Sequence, residues 1–528
     1  MNSKDAVTEQ LLKQPEHKDK LFSYGFVYSE QNHDFSEYPF FSLWKSQAIY
    51  AADSFLGNLI THPRTHSYVR RAAKFTVALV GHAYNPVTME HDEQSILDSI
   101  ILACEKDGFF EYFNQLTGVF TLAFFSNEGI YVFGDATGMQ TTYYGVISGK
   151  RYISSHINLL GDLLKLETDE YVSKLTAYKY FPLLGSAMPS DLTNFKQIKR
   201  LIPNHYVMLA DDASVVRFFS PTRLNLTKDE IAKRVSELIS ANLELITRKW
   251  ARPAISLTGG CDSKTTLSCA NGIYDKFSYF SYISSEEERV DAEAAARICK
   301  ALGIPHRIYE ISDDDEKYSD LECHKSLLFH NAGSARETNP NDVRKRCYFA
   351  QISDFDVEVK SWCSEVGRAY FSKRFNGKKK FGRITARKCT TMYKFFLHNR
   401  RLVRQTDKHF KDYIKKYMSN VGKVDSLTEW QEQFFWEFRM SAWNGNVITG
   451  EHRYSFDITI PYNNRLLLQL LLSVPLKDRI ADTVYSEIRK RMNPAIDECG
   501  ISVTNVKHTT NRARAERIYY TLHSKFPF

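Results

Sequence analysis

A short apolar strand that runs into a Gly-Gly turn constrains the fold of this chain more than any other feature. Residues 254–257 (AISL) form the strand, residues 258–260 (TGG) form the turn, and a helix-forming stretch follows. Two further apolar runs, 277–283 and 307–311, alternate with helical periodicity. Alternating helices and apolar strands predict parallel βαβ units. Ligands of such sheets bind at the carboxyl ends of the strands.

The composition is that of a folded, soluble protein. Of the 528 residues, 43% are hydrophobic and 25% are charged, which excludes a disordered or fibrous chain. The densest apolar stretch, residues 466–474, is far shorter than the roughly 20 residues that a membrane helix needs, so no membrane contact is expected. The nine cysteines include no CxxC pair. This usage argues against a zinc ribbon and predicts a cytoplasmic protein.

Residues 1–220 differ in pattern from the rest of the chain. Short apolar runs bounded by turn residues, such as 118–125 and 130–133, predict strands and hairpins mixed with a few helices. Near residue 222 the pattern changes, and Thr227 with Glu230 forms a capping-box signature at a helix start. We therefore predict an N-terminal α+β layered domain over 1–220. An α/β domain with a parallel sheet and a helical C-terminal part is predicted over 221–528.

The residue types of the Gly-Gly turn suit phosphate binding. Glycines let the backbone approach a ligand closely, and the following helix start presents free N–H groups and a positive dipole end. Asp262 would repel phosphates unless it held a cation, so the pattern predicts a magnesium ion that joins this carboxylate to phosphate oxygens. The simpler alternative is an ordinary strand-to-helix turn in which Asp262 or Ser263 caps the helix.

Several segments resemble those of a known family. Residues 258–263 (TGGCDS) resemble the Ser-Gly-Gly-x-Asp-Ser pyrophosphate loop of the ATP-pyrophosphatase fold. Residues 291–306 resemble the D…A…LG…H segment of asparagine synthetase-like enzymes. Upstream, residues 116–120, 134–144 and 195–205 resemble the L-x-G-x-F, R-D-x-x-G-x-x-x-L-Y-Y and F-x-x-I-x-x-L-x-P-G-H segments of the same family. The motifs occur in the same order as in that family. Over about 70–495 they make the chain similar to the asparagine synthetase and β-lactam synthetase family.

The resemblance implies a two-domain enzyme. Its N-terminal domain would resemble a glutaminase of the N-terminal-nucleophile type. Its C-terminal domain would use ATP and Mg²⁺ to activate a carboxylate as an acyl-adenylate. Attack by an amine would then form an amide and release AMP and pyrophosphate. The expected partners are a small-molecule or peptide carboxylate and an amine, and a homo-oligomer is compatible with the family.

The resemblance also implies residue roles. Asp262 would hold magnesium, and backbone groups at the first two strand ends would contact adenine. The nucleotide-binding residues implied in this way lie in the turn and at the ends of the first two strands: Ser256, Leu257, Thr258, Gly259, Gly260, Asp262, Ser263, Tyr282 and Ile283.

The N-terminal domain departs from the family at its nucleophile. The glutaminase needs a cysteine at the processed N-terminus, whose free amine acts as the base for its own thiol. Here residue 2 is Asn2, and the first cysteine is Cys104. The domain is therefore expected not to hydrolyse glutamine and to act as a scaffold or partner-binding unit.

Two further departures concern the catalytic domain. Residues 362–368 (WCSEVGR) are the best counterpart of the family's later S-G-x-G-x-D-E loop, and Glu365 is predicted as the second metal carboxylate. Arg368 falls near the position of the family's Asp, where it would either bind pyrophosphate or form an ion pair. The catalytic lysine, whose charge would neutralise the reaction intermediate, has no clear match. Lys507 is a loose candidate.

The segment from Lys373 to Arg404 is strongly basic. It holds twelve Lys and Arg and no acidic residue in 32 positions, and aromatic residues are interleaved. It predicts either a solvated face or a docking site for an anionic partner. The candidates are a phosphopantetheine carrier, a nucleotide-linked sugar, an acidic peptide or RNA, with nucleic acid the least expected.

Three functions fit these observations. The first is an ATP- and Mg²⁺-dependent amide-forming ligase that lacks glutaminase activity. The second is a catalytically degenerate family member that binds nucleotide or a protein partner. The third is a nucleic-acid-modifying enzyme of the ATP-pyrophosphatase fold.

Overall fold

The computed structural model describes residues 3–31, 43–179, 181, 187–335, 337–352, 354–375, 377, 381–393, 399–419, 429–499 and 518–521. Within them the protein is mixed α/β. Two antiparallel six-stranded sheets occupy the N-terminal half, and a parallel five-stranded sheet occupies the C-terminal half. Among the described helices, none is both long enough and apolar enough to cross a bilayer.

The strands of the N-terminal half form a sandwich. The first sheet has the order β10-β8-β9-β1-β3-β2 and the second β12-β11-β7-β6-β5-β4. Side chains from both sheets, including Tyr28, Leu59, Phe125 and Val132, share one buried core. The strands are β1 Phe26–Ser29, β2 Lys45–Ala51, β3 Ser54–Thr61, β4 Ser67–Arg71, β5 Thr76–Tyr84, β6 Thr117–Ser126, β7 Gly129–Gly134, β8 Tyr143–Ile147, β9 Lys150–Ser154, β10 Lys199–Arg200, β11 His205–Leu209 and β12 Ala213–Arg217.

The helices of the N-terminal half lie outside this sandwich or beyond its edge. Helices α2 and α3 pack on the second sheet through an aromatic cluster that includes Phe113 and Phe133. Helix α1 packs instead against the C-terminal half. These helices are α1 Ser3–Lys13, α2 Glu93–Glu105, α3 Phe109–Gln115, α4 Ile157–Leu164 and α5 Glu170–Thr176.

The parallel sheet has the order β15-β14-β13-β16-β17. From β13 the chain adds β14 and β15 on one side of the sheet, and it then adds β16 and β17 on the other side. Such a reversal leaves a crevice between β13 and β16 at their carboxyl ends. The strands are β13 Pro253–Ser256, β14 Ser278–Ile283, β15 Arg307–Glu310, β16 Val357–Val359 and β17 Asp457–Thr459.

Helices cover both faces of this sheet and dominate the rest of the chain. The predicted capping box is confirmed, because Thr227 and Glu230 bond reciprocally at the start of α6. The helices are α6 Lys228–Lys249, α7 Cys261–Cys269, α8 Glu286–Ala301, α9 Leu321–Asn331, α10 Pro340–Gln351, α11 Tyr370–Arg374, α12 Ala386–Tyr393, α13 Arg400–Tyr417, α14 Trp430–Phe434, α15 Asn446–Gly450, α16 Arg465–Ser473, α17 Leu476–Ile480, α18 Thr483–Met492 and α19 Ala495–Glu498. A π-helical segment, Phe435–Gly445, joins α14 to α15.

The acidic residues 286–288 form the first turn of α8, where Ser285 caps the helix. Three carboxylates in a first turn are favoured by the positive end of the helix dipole. Glu288 also accepts hydrogen bonds from the amide and hydroxyl of Ser284 and pairs with Lys345 at 2.7 Å.

Candidate active site

A cavity of about 340 Å³ opens at the carboxyl ends of β13, β14 and β16. It lies at the reversal of strand order, which is where ligands of such sheets bind. Four carboxylates and one ammonium group line it, together with hydroxyl and aromatic groups. The lining residues are Ser256, Leu257, Thr258, Asp262, Ser263, Ser281, Tyr282, Glu288, Asp291, Ala292, Lys360, Ser361, Trp362 and Glu365.

The Gly-Gly turn connects β13 to α7 as predicted, but several of its amides already have acceptors. The amide of Thr258 donates to the Ser263 hydroxyl at 3.2 Å, and the amide of Gly260 donates to the Thr258 hydroxyl at 3.1 Å. The amide of Gly259 donates to the Asp291 carboxylate at 3.2 Å. The three amides that precede the helix start are therefore not free donors.

The first turn of α7 keeps its own free donors. An α-helix leaves the backbone amides of its first residues without intrahelical acceptors. In α7 these residues are Cys261, Asp262 and Ser263. Among the described residues, no side chain accepts from them. At Gly259, a carboxylate oxygen of Asp291 lies where an oxygen of a bound anion would accept the same hydrogen bond. In this structure the Asp291 carboxylate therefore occupies the acceptor position at the Gly259 amide.

Asp262 and Glu365 form a pair of carboxylates beside the cavity. Asp262 Oδ1 and Glu365 Oε2 are both buried and have no hydrogen-bond partner among the described residues. Burial, together with the charge of Asp262, raises the pKa of Glu365 to about 7. Buried carboxylate oxygens without donors are costly unless a cation neutralises them. Carboxylate oxygens are the ligand type that hard divalent cations such as Mg²⁺ prefer.

Arg368 lies on the other side of Asp262. Its guanidinium pairs with Asp262 Oδ2 at 2.5 Å and with both carboxylate oxygens of Asp482, at 3.0 and 2.8 Å. Lys373 also pairs with Asp482 at 2.5 Å. Although burial opposes the charged form, Asp482 and Asp262 raise the pKa of Arg368. Of the two roles predicted for Arg368, the structure displays the ion pair. It leaves one oxygen of Asp262 for another cation.

Lys360 is a cavity residue that the sequence analysis missed. It follows β16 directly, is buried, and pairs with Glu358 at 2.6 Å. Its ammonium lies 5.5 Å from the centre of the Trp362 ring. Burial lowers the pKa of Lys360 although Glu358 opposes the shift. The position immediately after a parallel strand was the one signal that could have identified it.

The structure brings most of the predicted nucleotide-binding residues to this cavity. Ser256, Leu257, Thr258, Asp262, Ser263 and Tyr282 line it, and so does Glu365. Gly259 and Gly260 lie in the turn but not in the lining, and the Ile283 side chain is buried instead. Lys507 lies outside the described residues.

We expect magnesium binding to strengthen as the pH rises through about 7. Below that pH Glu365 is protonated and cannot act as a ligand, so raising the pH from 6 to 8 should tighten Mg²⁺ binding roughly tenfold. Isothermal titration calorimetry at the two pH values measures the change. The Glu365→Gln variant should bind weakly at both. Equal affinities of the wild type at pH 6 and pH 8 would remove Glu365 from the metal site.

Comparisons with known proteins do not assign a family. No family model matches the chain, and no curated protein matches it. Among solved structures it is similar to the glutamine phosphoribosylpyrophosphate (PRPP) amidotransferase of B. subtilis complexed with ADP and GMP, with 8% identity, 76% of each chain covered and a TM-score of 0.21. It is also similar to the allosteric regulatory enzyme of purine biosynthesis, with 10% identity, 74% of this chain and 73% of that chain covered and a TM-score of 0.23. TM-scores this low say nothing about the activity of this chain.

Proposed function

We propose that the protein is an ATP- and Mg²⁺-dependent ligase that adenylates a carboxylate and joins it to an amine without hydrolysing glutamine. The single observation that carries the proposal is the pair of buried, unpartnered carboxylate oxygens on Asp262 and Glu365, at the strand-order reversal of a parallel sheet. The resemblance of residues 258–263 to a pyrophosphate loop supports the same assignment.

The side chains around the cavity suit the binding of a triphosphate and its cation. Asp262 and Glu365 would hold Mg²⁺, which when bound supplies positive charge to phosphate oxygens. The free amides of Cys261, Asp262 and Ser263, at the positive end of α7, would bind the leaving pyrophosphate. Lys360, which also lines the cavity, would place a second positive charge there, in the role for which the family uses a later lysine.

Binding of a triphosphate requires two internal contacts to yield. Asp291 must release the amide of Gly259, and the Thr258 hydroxyl must release the amide of Gly260. Both contacts are 3.1–3.2 Å long, and phosphate oxygens are strong acceptors that replace them with charge-assisted hydrogen bonds. The proposed N-terminal-nucleophile-type domain over 1–220 would support this site without chemistry of its own.

Pyrophosphate exchange tests the proposal. Purified protein with Mg²⁺ and ATP should exchange labelled pyrophosphate into ATP when the correct carboxylate is present, because adenylation is reversible. A panel of amino acids, small dicarboxylates and peptides covers the expected substrates. Exchange with one panel member supports the ligase. Failure of ATP to bind at millimolar concentration with Mg²⁺ would require the ligase to be abandoned.

The two alternatives give different results in the same assay. A degenerate nucleotide-binding protein would bind ATP and show no exchange with any carboxylate. A nucleic-acid-modifying enzyme would release AMP only when RNA or DNA is added. The ligase is favoured because Asp262 and Glu365 keep the unpartnered oxygens that a metal-dependent reaction needs.

A further inference from the structure

In the structure the exposed positive charge only partly coincides with the basic segment that the sequence predicted. Within the described part of residues 373–404, many cations are used inside the fold. Lys373 pairs with Asp482, Arg387 pairs with Asp407, and Lys388 donates to backbone carbonyls. Residues 376, 378–380 and 394–398 lie outside the described part of the chain. The described cations of the predicted segment therefore do not form a docking face by themselves.

Helix α13 carries a linear array of cations instead. Its exposed members follow one another at intervals of one, three or four residues, which places them along one side of the helix. The array is about 22 Å long, since fifteen residues rise at 1.5 Å each. Asp407 is neutralised by Arg387, and Asp412 is the one exposed acid of α13. The array consists of Arg400, Arg401, Arg404, Lys408, Lys411 and Lys415.

Several of these charges weaken the helix rather than stabilise it. Arg400 and Arg401 stand in its first turn, where the positive end of the dipole disfavours cations. Arg404 and Lys408, like Lys411 and Lys415, are like-charged pairs at i,i+4, which also weaken a helix. Among the described residues, none of these four forms an ion pair. The apolar face of α13 anchors the helix, and the array is left for an external anion.

The shape and chemistry of the array favour a nucleic-acid backbone. Six cations in 22 Å give one charge per roughly 4 Å, close to the one phosphate per about 3.4 Å of a nucleic-acid strand. Protein interfaces and membrane-bound helices are anchored by exposed apolar or aromatic side chains. On α13 those side chains face the core: Leu402, Phe410, Tyr413 and Tyr417 are buried.

We propose that the outer face of α13 binds the phosphate backbone of RNA or DNA without base recognition. This reverses the sequence-based expectation that nucleic acid is the least expected partner. The reason is that the charges form a continuous line only in the folded helix, which extends beyond Arg404 to Lys415.

Fluorescence anisotropy with the full-length protein and an end-labelled single-stranded RNA of about twenty nucleotides tests the proposal. Binding should weaken linearly on a log–log plot against salt concentration, with a slope of about −4 if all six cations contact phosphates. The triple variant Arg404→Glu, Lys408→Glu and Lys411→Glu should bind at least about 100-fold more weakly at about 50 mM salt, with a slope at least two smaller in magnitude.

A matched triple variant controls for net charge. Lys233→Glu, Arg234→Glu and Lys300→Glu change the charge equally on exposed positions of α6 and α8, and affinity should stay within about threefold of the wild type. Circular dichroism checks folding. If the α13 triple does not fold, the milder Lys408→Gln with Lys411→Gln should still weaken binding about tenfold.

Three outcomes would overturn the proposal: equal losses in the two triple variants, salt-independent binding, or tighter binding to polyglutamate or phosphatidylserine vesicles than to RNA at the same salt. Pyrophosphate exchange is measured separately. Failure of RNA binding therefore leaves the proposed ligase untouched, and the reverse also holds.

Discussion

Replacing Asp262 by asparagine should abolish Mg²⁺-dependent ATP binding and pyrophosphate exchange. Asparagine keeps the size of the side chain but removes the charge that would hold the cation. A bound metal stabilises developing phosphate charge by several kcal/mol, so exchange should fall by on the order of 10³-fold, equivalent to about 4 kcal/mol. ATP binding is measured by calorimetry, and exchange is measured with labelled pyrophosphate.

Folding should survive this substitution. Arg368 keeps its two hydrogen bonds to Asp482 when the contact with Asp262 is lost. The charge of Asp262 is one cause of the raised pKa of Glu365, second to burial, so that pKa should fall in the variant. The matched control is Asp275→Asn, which removes an exposed carboxylate of the same domain. If the Asp262→Asn variant exchanged pyrophosphate at a rate within tenfold of the wild-type rate, Asp262 would be excluded from the mechanism.

Local sequence predicted the turn at residues 258–263 well, but not what the turn contacts. The strand, the glycines and the helix start follow from adjacent residues, so pattern and propensity suffice. Asp291, which bonds the Gly259 amide, lies 32 residues away. The partners of Arg368 lie 106 and 114 residues away. Such contacts depend on how α8 packs on β14 and how α18 packs against α7, which no local pattern encodes.

Lys360 could not be predicted from the sequence for a second reason. The family that the sequence resembles carries its catalytic lysine late in the chain, which directs attention to the region after residue 480. Strand β16 contains only three residues, Val357–Val359, with an acidic residue in the middle. It carries neither the length nor the apolar pattern by which β13 and β14 are found. Without that strand, nothing in the sequence places Lys360 at a strand end.

In the basic segment, the fold determines which of the charged side chains stay exposed and which form contacts within the protein. The count of twelve Lys and Arg over residues 373–404 is correct, but contacts such as Lys373 with Asp482 use many of those charges internally. Helical periodicity over α13 was available from the sequence. Which face of α13 is exposed depends on packing of Leu402 and Phe410 against other elements.

The Glu437→Gln substitution should be the most destabilising conservative change at the junction of the two halves. Glu437 lies in the π-helical segment Phe435–Gly445 and is fully buried, and Arg217 at the end of β12 pairs with both its oxygens at 2.6 and 2.7 Å. Asn204 and Gln433 also donate to Glu437, each at 3.1 Å. Although burial opposes the charged form, Glu437 raises the pKa of Arg217.

Glutamine in place of Glu437 leaves the Arg217 charge buried and without its counter-charge. Breaking a buried ion pair on one side costs about 3–5 kcal/mol, and urea unfolding followed by tryptophan fluorescence measures the loss. Asp98→Asn breaks the exposed pair with Arg70 and should change the free energy of unfolding by less than about 1 kcal/mol. The double variant Arg217→Met with Glu437→Met removes both charges and should be more stable than Glu437→Gln alone.

Breaking the Arg217–Glu437 ion pair also tests whether the two halves of the chain unfold together. Further buried polar contacts span the same junction, among them Asn463 with Thr137 at 2.8 Å and with the Gly118 carbonyl at 2.6 Å. A junction built from such contacts couples the sandwich to the parallel sheet, so Glu437→Gln should shift a single unfolding transition. If the variant instead showed two separate transitions with an unchanged first midpoint, the sandwich would be stable by itself. Arg217 and Glu437 would then contribute only to docking between the halves.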